Sequence, residues 1–411
     1  MGNTIKTLEA GDITRRALAI LHNNLVFCKT INRQYDSRFA VSGAKNGGVL
    51  LIREPNEFAV RTGAVMDTQD VVEQTQTLTV ATQKGVDVNF SSAELTLSMD
   101  DFAERILTPA MTRLAAEVDA TVIAGCYPYV YNLVNSTFGT VPTLADVLAA
   151  RAKLNKGLAP TGNDRVMMVE SLAANGILTD TKALFNPASE ISRQYEQALL
   201  GTIAGFKFYE TEMTPTHTNG SRNDTTPVCA TNTSAFTSGS NEIVITAYTT
   251  GATFKAGDVF TVSGCYAVNP ETKVKYAHLQ QFSIIEDVSA ISATTVTVKV
   301  SPTPVTSGVR QNVSITTAAT ATIVNTTAGG SGVASTGYVN SLAYHKDAFT
   351  MVTADLEMPQ GVDFAARKVI DNISMRIVRK YDIVNDKFPC RIDVLFGYKA
   401  LRPGWACRVV S

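Results

Sequence analysis

The sequence has almost no charge imbalance to offer a polyanion. Its 36 lysines and arginines face 37 aspartates and glutamates, a formal net charge of −1 over 411 residues. A dedicated nucleic-acid binder normally carries a basic surplus, so that class is set aside; a protein that merely encloses nucleic acid is not. No run approaches 18 consecutive apolar residues, which argues against a transmembrane helix. The opening residues, Met1-Gly-Asn-Thr-Ile-Lys6, lack the apolar core of a signal peptide. Position 6 is not the Ser or Thr that a myristoylation signal on Gly2 would need. The six cysteines, Cys28, Cys126, Cys229, Cys265, Cys390 and Cys407, are scattered and form no C-x-x-C pair. They read as reduced thiols of a cytoplasmic protein, not as a disulfide framework.

Chemistry-bearing patterns are missing as well. There is no G-x-x-x-x-G-K-[ST], no G-x-G-x-x-G, no H-E-x-x-H and no G-x-S-x-G. The four histidines, His22, His217, His278 and His345, lie far apart with no Cys or acid at ligand spacing, so they read as core or surface residues. Asp100-Asp101 is a carboxylate pair, but a helix start explains it. Gly329-Gly-Ser-Gly332 precedes no strong helix that would cradle a phosphate. The expectation is a protein that is not an enzyme, with no cofactor and no metal.

What is present centres on residues 71–126. Leu78, Val80, Val86, Val88 and Phe90 alternate with Thr, Asp and Asn, the period of a two-faced strand, with Gly85 as its bulge or bend. The period then changes. Ser98 and Asp101 make a capping-box pattern, and Asp100, Asp101 and Glu104 suit the positive end of a helix dipole. Phe102, Ile106, Ala110, Leu114, Val118 and Val122 recur every four residues. The spacing predicts an amphipathic spine helix over 99–125, kinked at Pro109.

Around this beam the chain alternates. Residues 12–27 predict a short helix, docked or mobile. Gly43–Gly48 is a turn, and Val49–Ile52 is a short strand. Residues 53–74 carry five acids and two arginines without a clear period, a long excursion of the kind that is uncommon unless it touches something. Thr143 caps a helix to Lys156, Arg165–Val169 is a buried strand, Ser171 and Ser189 open two more helices, and 201–211 returns as a strand. That order makes an α+β or α/β layer. From 213 to 340 Ser and Thr crowd in and short alternating runs replace helical periods, as in a small antiparallel sandwich or barrel. The tail is strands again. Asn372–Arg379 and Cys390–Tyr398 alternate about a turn at Asn385-Asp386, and residues 76–90 are their natural partner.

The order of elements resembles the major capsid protein of tailed bacteriophages, the Hong Kong 97 fold, and within it the coat proteins of short-tailed phages of the Salmonella podophage type. The runs that carry the likeness are Arg61-Thr-Gly-Ala-Val65, Lys84-Gly-Val-Asp87, Leu95–Arg105, Leu114-Ala-Ala-Glu-Val-Asp119, Phe254-Lys-Ala-Gly-Asp258, Tyr266–Lys273 and Arg391–Pro403. None is a catalytic motif; their joint order is what is specific. The fold class implied is α+β, with an N-arm, extended loop, spine helix and axial domain, and an inserted all-β barrel-like domain.

The resemblance implies an N-terminal arm at 1–40, a peripheral domain at 41–131 with the extended loop 53–74, an axial domain at 132–212, an inserted β domain at 213–340 and return strands at 341–411. It implies a coat protein that self-assembles, as hexamers and pentamers, into an icosahedral shell around a double-stranded DNA genome. Partners would be a scaffolding protein, a portal and weakly contacted DNA, with no membrane. Assembly would take place in the bacterial host cytoplasm, with the virion capsid as destination. An encapsulin-like nanocompartment shell is the alternative, disfavoured because such shells lack a large inserted barrel. Expected contacts between subunits are Arg53, Glu54, Glu57, Arg61, Asp67, Asp70 and Glu73 on the excursion. Arg222 and Asp224 join them from a bridging loop at 219–227.

Overall fold

The computed structural model describes residues 10–36, 49–58, 60–61, 63–66, 68–70, 73–91, 108–134, 140–181, 201–221, 228–229, 238–246, 253–289, 295–315, 321–325 and 337–411. The expected cap at Ser98 with Asp100, Asp101 and Glu104, the Gly43–Gly48 turn and the helix opened by Ser189 lie outside these. The chain forms two compact units. One comprises Met1–Arg53, Thr75–Val122 and Phe349–Lys399; the other comprises Glu54–Gln74, Ile123–Ala348 and Ala400–Ser411.

The first unit is built on a six-stranded sheet in the order Asn32–Asp36, Phe349–Ala354, Lys387–Ala400, Ile373–Arg379 and Phe364–Ile370, with Thr82–Ser91 also paired to Lys387–Ala400. As the alternation predicted, the tail pairs with the early strand, in unbroken register from Lys387↔Ser91 to Phe396↔Thr82. Two expectations need correction. The alternating stretch 76–90 is not one strand: Thr75–Thr79 pairs with Val49–Arg53, and a new strand, Thr82–Ser91, begins after Ala81. The period survives the break because both halves bury alternate side chains against different partners. Nor is Gly85 a bulge. Its register with Asp393 is regular, and a Cβ there would lie 2.5 Å from both Ile392 O and Asp393 Oδ1. Close approach of the neighbouring strand, not a bend, requires the glycine.

The helix Ala10–Asn24 is docked, burying Ala17, Leu18 and Leu21, with Leu25 buried just past its end. The long helix is described over Thr108–Cys126 and buries Met111, Leu114, Ala115, Val118 and Val122. Pro109 stands in its first described turn. The Asp119 carboxylate on this helix is 2% exposed. It accepts the backbone N–H groups of Val26, Phe27 and Cys28 at 2.7, 3.2 and 2.9 Å. Burial pushes its pKa up, against the pull of these donors.

The second unit holds two seven-stranded sheets. One is mixed, ordered Leu133–Val134, Ala406–Val410, Gly337–His345, Arg165–Val169, Phe206–Glu210 and Thr202–Ile203, with Thr216–Thr218 on Gly337–His345. Arg165–Val169 is buried at every residue, and the helix Leu144–Lys156 starts at a capping box between Thr143 and Asp146. The other sheet is antiparallel and closes on itself. Its ring runs Lys275–Ile284, Thr295–Ser301, Glu242–Thr246, Val228–Cys229, Ala321–Asn325, Val259–Val268 and back to Lys275–Ile284, with Val313–Ile315 beside Val259–Val268. The barrel is filled by Ile243, Phe260, Phe282, Ile284, Val298 and their neighbours. Closure removes free sheet edges. The chain leaves for the barrel along Thr216–Thr218 and returns along Gly337–Val339, and these two segments pair with each other.

Candidate assembly surfaces

Among the described residues no group of three or more His, Cys, Asp or Glu side chains could hold a metal ion, and no helix is long and apolar enough to cross a membrane. Cys28, Cys126, Cys265, Cys390 and Cys407 are buried free thiols. Burial pushes the Cys390 thiol up to about 11 and that of Cys407 to about 12, away from reactivity.

The excursion between the paired strands Val49–Arg53 and Thr75–Thr79 presents an apolar surface. Phe58 is 60% exposed, Val60 95%, Val65 85% and Met66 77%. The described residues of the segment have no regular secondary structure and so no periodic core stripe for these side chains to join. The charged residues expected to make contacts divide into groups. Glu54 pairs with Arg310 of the same chain at 2.9 Å, and Arg310 also donates to Gln74 at 3.1 Å. Arg61 donates to the carbonyls of Gly63 and Val65, so it ties its own loop. Arg53, Glu57, Asp70 and Glu73 are exposed. Asp67, Arg222 and Asp224 lie outside the described residues. The charge pattern drew attention to these residues, whereas the exposed side chains that most need covering are apolar.

A second surface escaped the sequence reading. The turn between Ile373–Arg379 and Lys387–Ala400 carries Ile383 at 81% and Val384 at 84% exposure. Asp382 holds the turn, accepting from Val384 N–H at 3.0 Å and Asn385 Nδ2 at 2.7 Å. These two donors hold its carboxyl below the usual range. The available signal was an adjacent pair of β-branched apolar residues inside a turn sequence, where no core can use them.

The histidines and the C-terminal strand supply a third feature, a buried polar joint between barrel and mixed sheet. His217 Nε2 lies 2.8 Å from Asp258 Oδ1, and its Nδ1 lies 3.1 Å from Tyr127 Oη. Arg408 donates to Gly257 O at 2.7 Å and to Ser283 Oγ at 3.0 Å, and Ser283 donates on to Pro128 O at 2.6 Å. Burial lowers the Arg408 pKa, while Tyr338, Tyr127 and Asp258 oppose that shift. A Tyr–His–Asp row resembles acid–base machinery, but His217 and Asp258 are 3% and 1% exposed. Cut off from solvent, the row serves to satisfy buried polar groups. No local pattern announced it, since its members are spread from position 127 to position 408.

The sequence matches the family described as P22 coat protein, gene protein 5, over residues 15–407. No curated protein matches. Among solved structures the chain is similar to that of Mycobacterium phage Che8, with 12% identity, a TM-score of 0.45 and coverage of 94% of this chain and 90% of that one. The cyanophage P-SCSP1u capsid structure gives 9% identity and a TM-score of 0.46, with coverage of 94% and 87%. The acid-stable capsid structure of Helicobacter pylori bacteriophage KHP30 gives 10% and 0.43, with coverage of 92% and 87%. The sequence match spans almost the whole chain and carries the assignment: the chain belongs to the P22 coat protein family and is a phage major capsid (coat) protein.

Proposed function

We propose that this coat protein builds a closed icosahedral shell of hexamers and pentamers around a double-stranded DNA genome, with the excursion at 53–74 covering a neighbouring subunit. The observation that carries the reading is the exposure of Phe58, Val60, Val65 and Met66 on one segment. Contiguous exposed apolar surface marks an interaction site, and ring-closing contacts of one subunit type are what such shells use. Arg53, Glu57, Asp70 and Glu73 then add register at the rim, each exposed pair contributing about 0–1 kcal/mol. Arg61 contributes by shaping the loop. Asp67, Arg222 and Asp224 remain candidate contacts.

The role is structural, not catalytic, and family membership supports that. A scaffolding protein, a portal and weak, sequence-independent DNA contacts complete the proposed partners, with assembly in the host cytoplasm. The proposed partition keeps an arm at 1–40, a peripheral domain at 41–131, an axial domain at 132–212, an inserted domain at 213–340 and return strands at 341–411. The pairing of Thr216–Thr218 with Gly337–Val339 supports the insertion, since an inserted segment must hand the chain back where it left. Electron microscopy of the purified chain, alone and with scaffold, tests the assembly reading. Shells should form with the native sequence and fail with Phe58→Ser combined with Met66→Ser, while the melting temperature of the subunit stays unchanged. Normal shells from the double variant would remove the loop from the interface.

A further inference from the structure

The last turn of the helix Leu144–Lys156 packs against the barrel strand Lys275–Ile284, and three basic side chains meet there. Lys156 Nζ lies 3.4 Å from His278 Nδ1 and 5.7 Å from the centre of the Tyr276 ring. Tyr276 and His278 stack, with centroids 5.2 Å apart and planes at 27°. Lys153, partly buried, donates to the neutral Gln281 Oε1 at 3.0 Å. Among the described residues, none of these three basic groups has a carboxylate at ion-pair distance.

The helix dipole accounts for lysines in a final turn. It does not account for an imidazole set beside both of them, whose protonation would add a third positive charge. Burial, then Lys153 and Lys156, push the His278 imidazole down to about 4. Burial and Lys156 likewise lower the Lys153 ammonium. Among the described residues, two ammonium groups therefore stand without a carboxylate partner around a neutral imidazole that becomes a further donor once protonated.

We propose that Lys153, Lys156 and His278, with Tyr276 as the wall, form a binding site for a tetrahedral dianionic oxyanion of the phosphate or sulfate class. The charge count favours this class. A dianion matches two ammonium groups and offers three or more acceptor oxygens to lysine and imidazole donors, whereas a carboxylate brings one charge and two oxygens. The site stands independently of the shell reading and can be tested on unassembled subunits.

The test follows the His278 ring resonance of the full 411-residue chain by NMR, with histidine-selective ¹³C labelling. The signal is assigned with His278→Gln. The probe is inorganic sulfate, divalent throughout the range, against sodium chloride at equal ionic strength. Bound sulfate favours the imidazolium, so the titration midpoint should rise from about 4 by roughly one unit or more. That increment should vanish in Lys156→Gln and in Lys153→Met. Lys156 is exposed, so its variant keeps the fold and carries the test if Lys153→Met does not fold. At neutral pH, inorganic phosphate should perturb the same ring. No sulfate-dependent change at tens of millimolar overturns the proposal. So does an equal increment in Lys156→Gln, or an equal response to acetate.

Discussion

Asp119 shows how one side chain joins distant segments. Its carboxylate collects three backbone N–H groups of residues 26–28 onto the long helix. Asp119→Ala leaves those donors buried and unsatisfied, each costing about 1–3 kcal/mol. The expected loss is about 3 kcal/mol or more in urea unfolding, with Asp119→Asn milder because Oδ1 still accepts. A loss below about 1 kcal/mol would mean that water replaces the carboxylate. His278 gives the pH dependence. Its folded pKa of about 4 lies below the ordinary 6.5. The unfolded chain therefore takes up the proton first as pH falls. The stability linked to this residue is full above pH 6.5 and declines until the pH reaches about 4. Discounted for partial exposure, the loss is about 1–2 kcal/mol. Unfolding at pH 7 and pH 4.5 should show this loss in the native chain and a flatter profile in His278→Gln.

At the scale of elements, two exposed segments contrast with the sheets that bear them. The turn at Tyr381–Lys387 is held by Asp382, yet it offers Ile383 and Val384 to solvent. Both side chains are more than four-fifths exposed in the subunit. Ile383→Ser combined with Val384→Ser should therefore leave unfolding within about 0.5 kcal/mol of native, as surface changes do. The same double variant should weaken assembly, read as the fraction of chain sedimenting as shells. A clear drop in subunit stability with normal assembly would instead place the pair in the core of the subunit. By contrast, Leu144–Lys156 is a helix whose start was read locally, from Thr143 as its cap, and the structure adds Asp146 as the reciprocal partner.

At the scale of the whole molecule, the C-terminal strand completes the second unit. Arg408 is fully buried and reaches from Ala406–Val410 to Gly257 and Ser283 of the barrel segment. Arg408→Met keeps the bulk but strands Gly257 O, and a buried acceptor left without its donor costs about 1–3 kcal/mol. Hydrogen exchange should show Val259–Val268 and Gly337–His345 opening together in the native chain and separately in Arg408→Met. Joint opening in the variant would show that apolar packing alone couples barrel to sheet. The core at that junction, Leu133, Val259, Tyr338 and Val410, is small enough for the polar joint to matter.

The sequence alone determined the features that depend on neighbours two to four residues apart. Alternation marked Glu242–Thr246 and the tail strands, the Thr143 cap marked Leu144–Lys156, and the order of elements pointed to the coat-protein fold. Only tertiary structure decided what depends on residues far apart in the chain. It split 76–90 between two partners, since alternation records that a face is buried and not what buries it. It showed that Gly85 answers to Asp393, and it brought His217 beside Asp258 and Arg408 against Gly257. It also paired Glu54 with Arg310 and left Phe58, Val60, Val65 and Met66 uncovered. Local periodicity is written by backbone geometry, whereas these contacts arise only when separate strands pack, and packing distance is not encoded in sequence spacing.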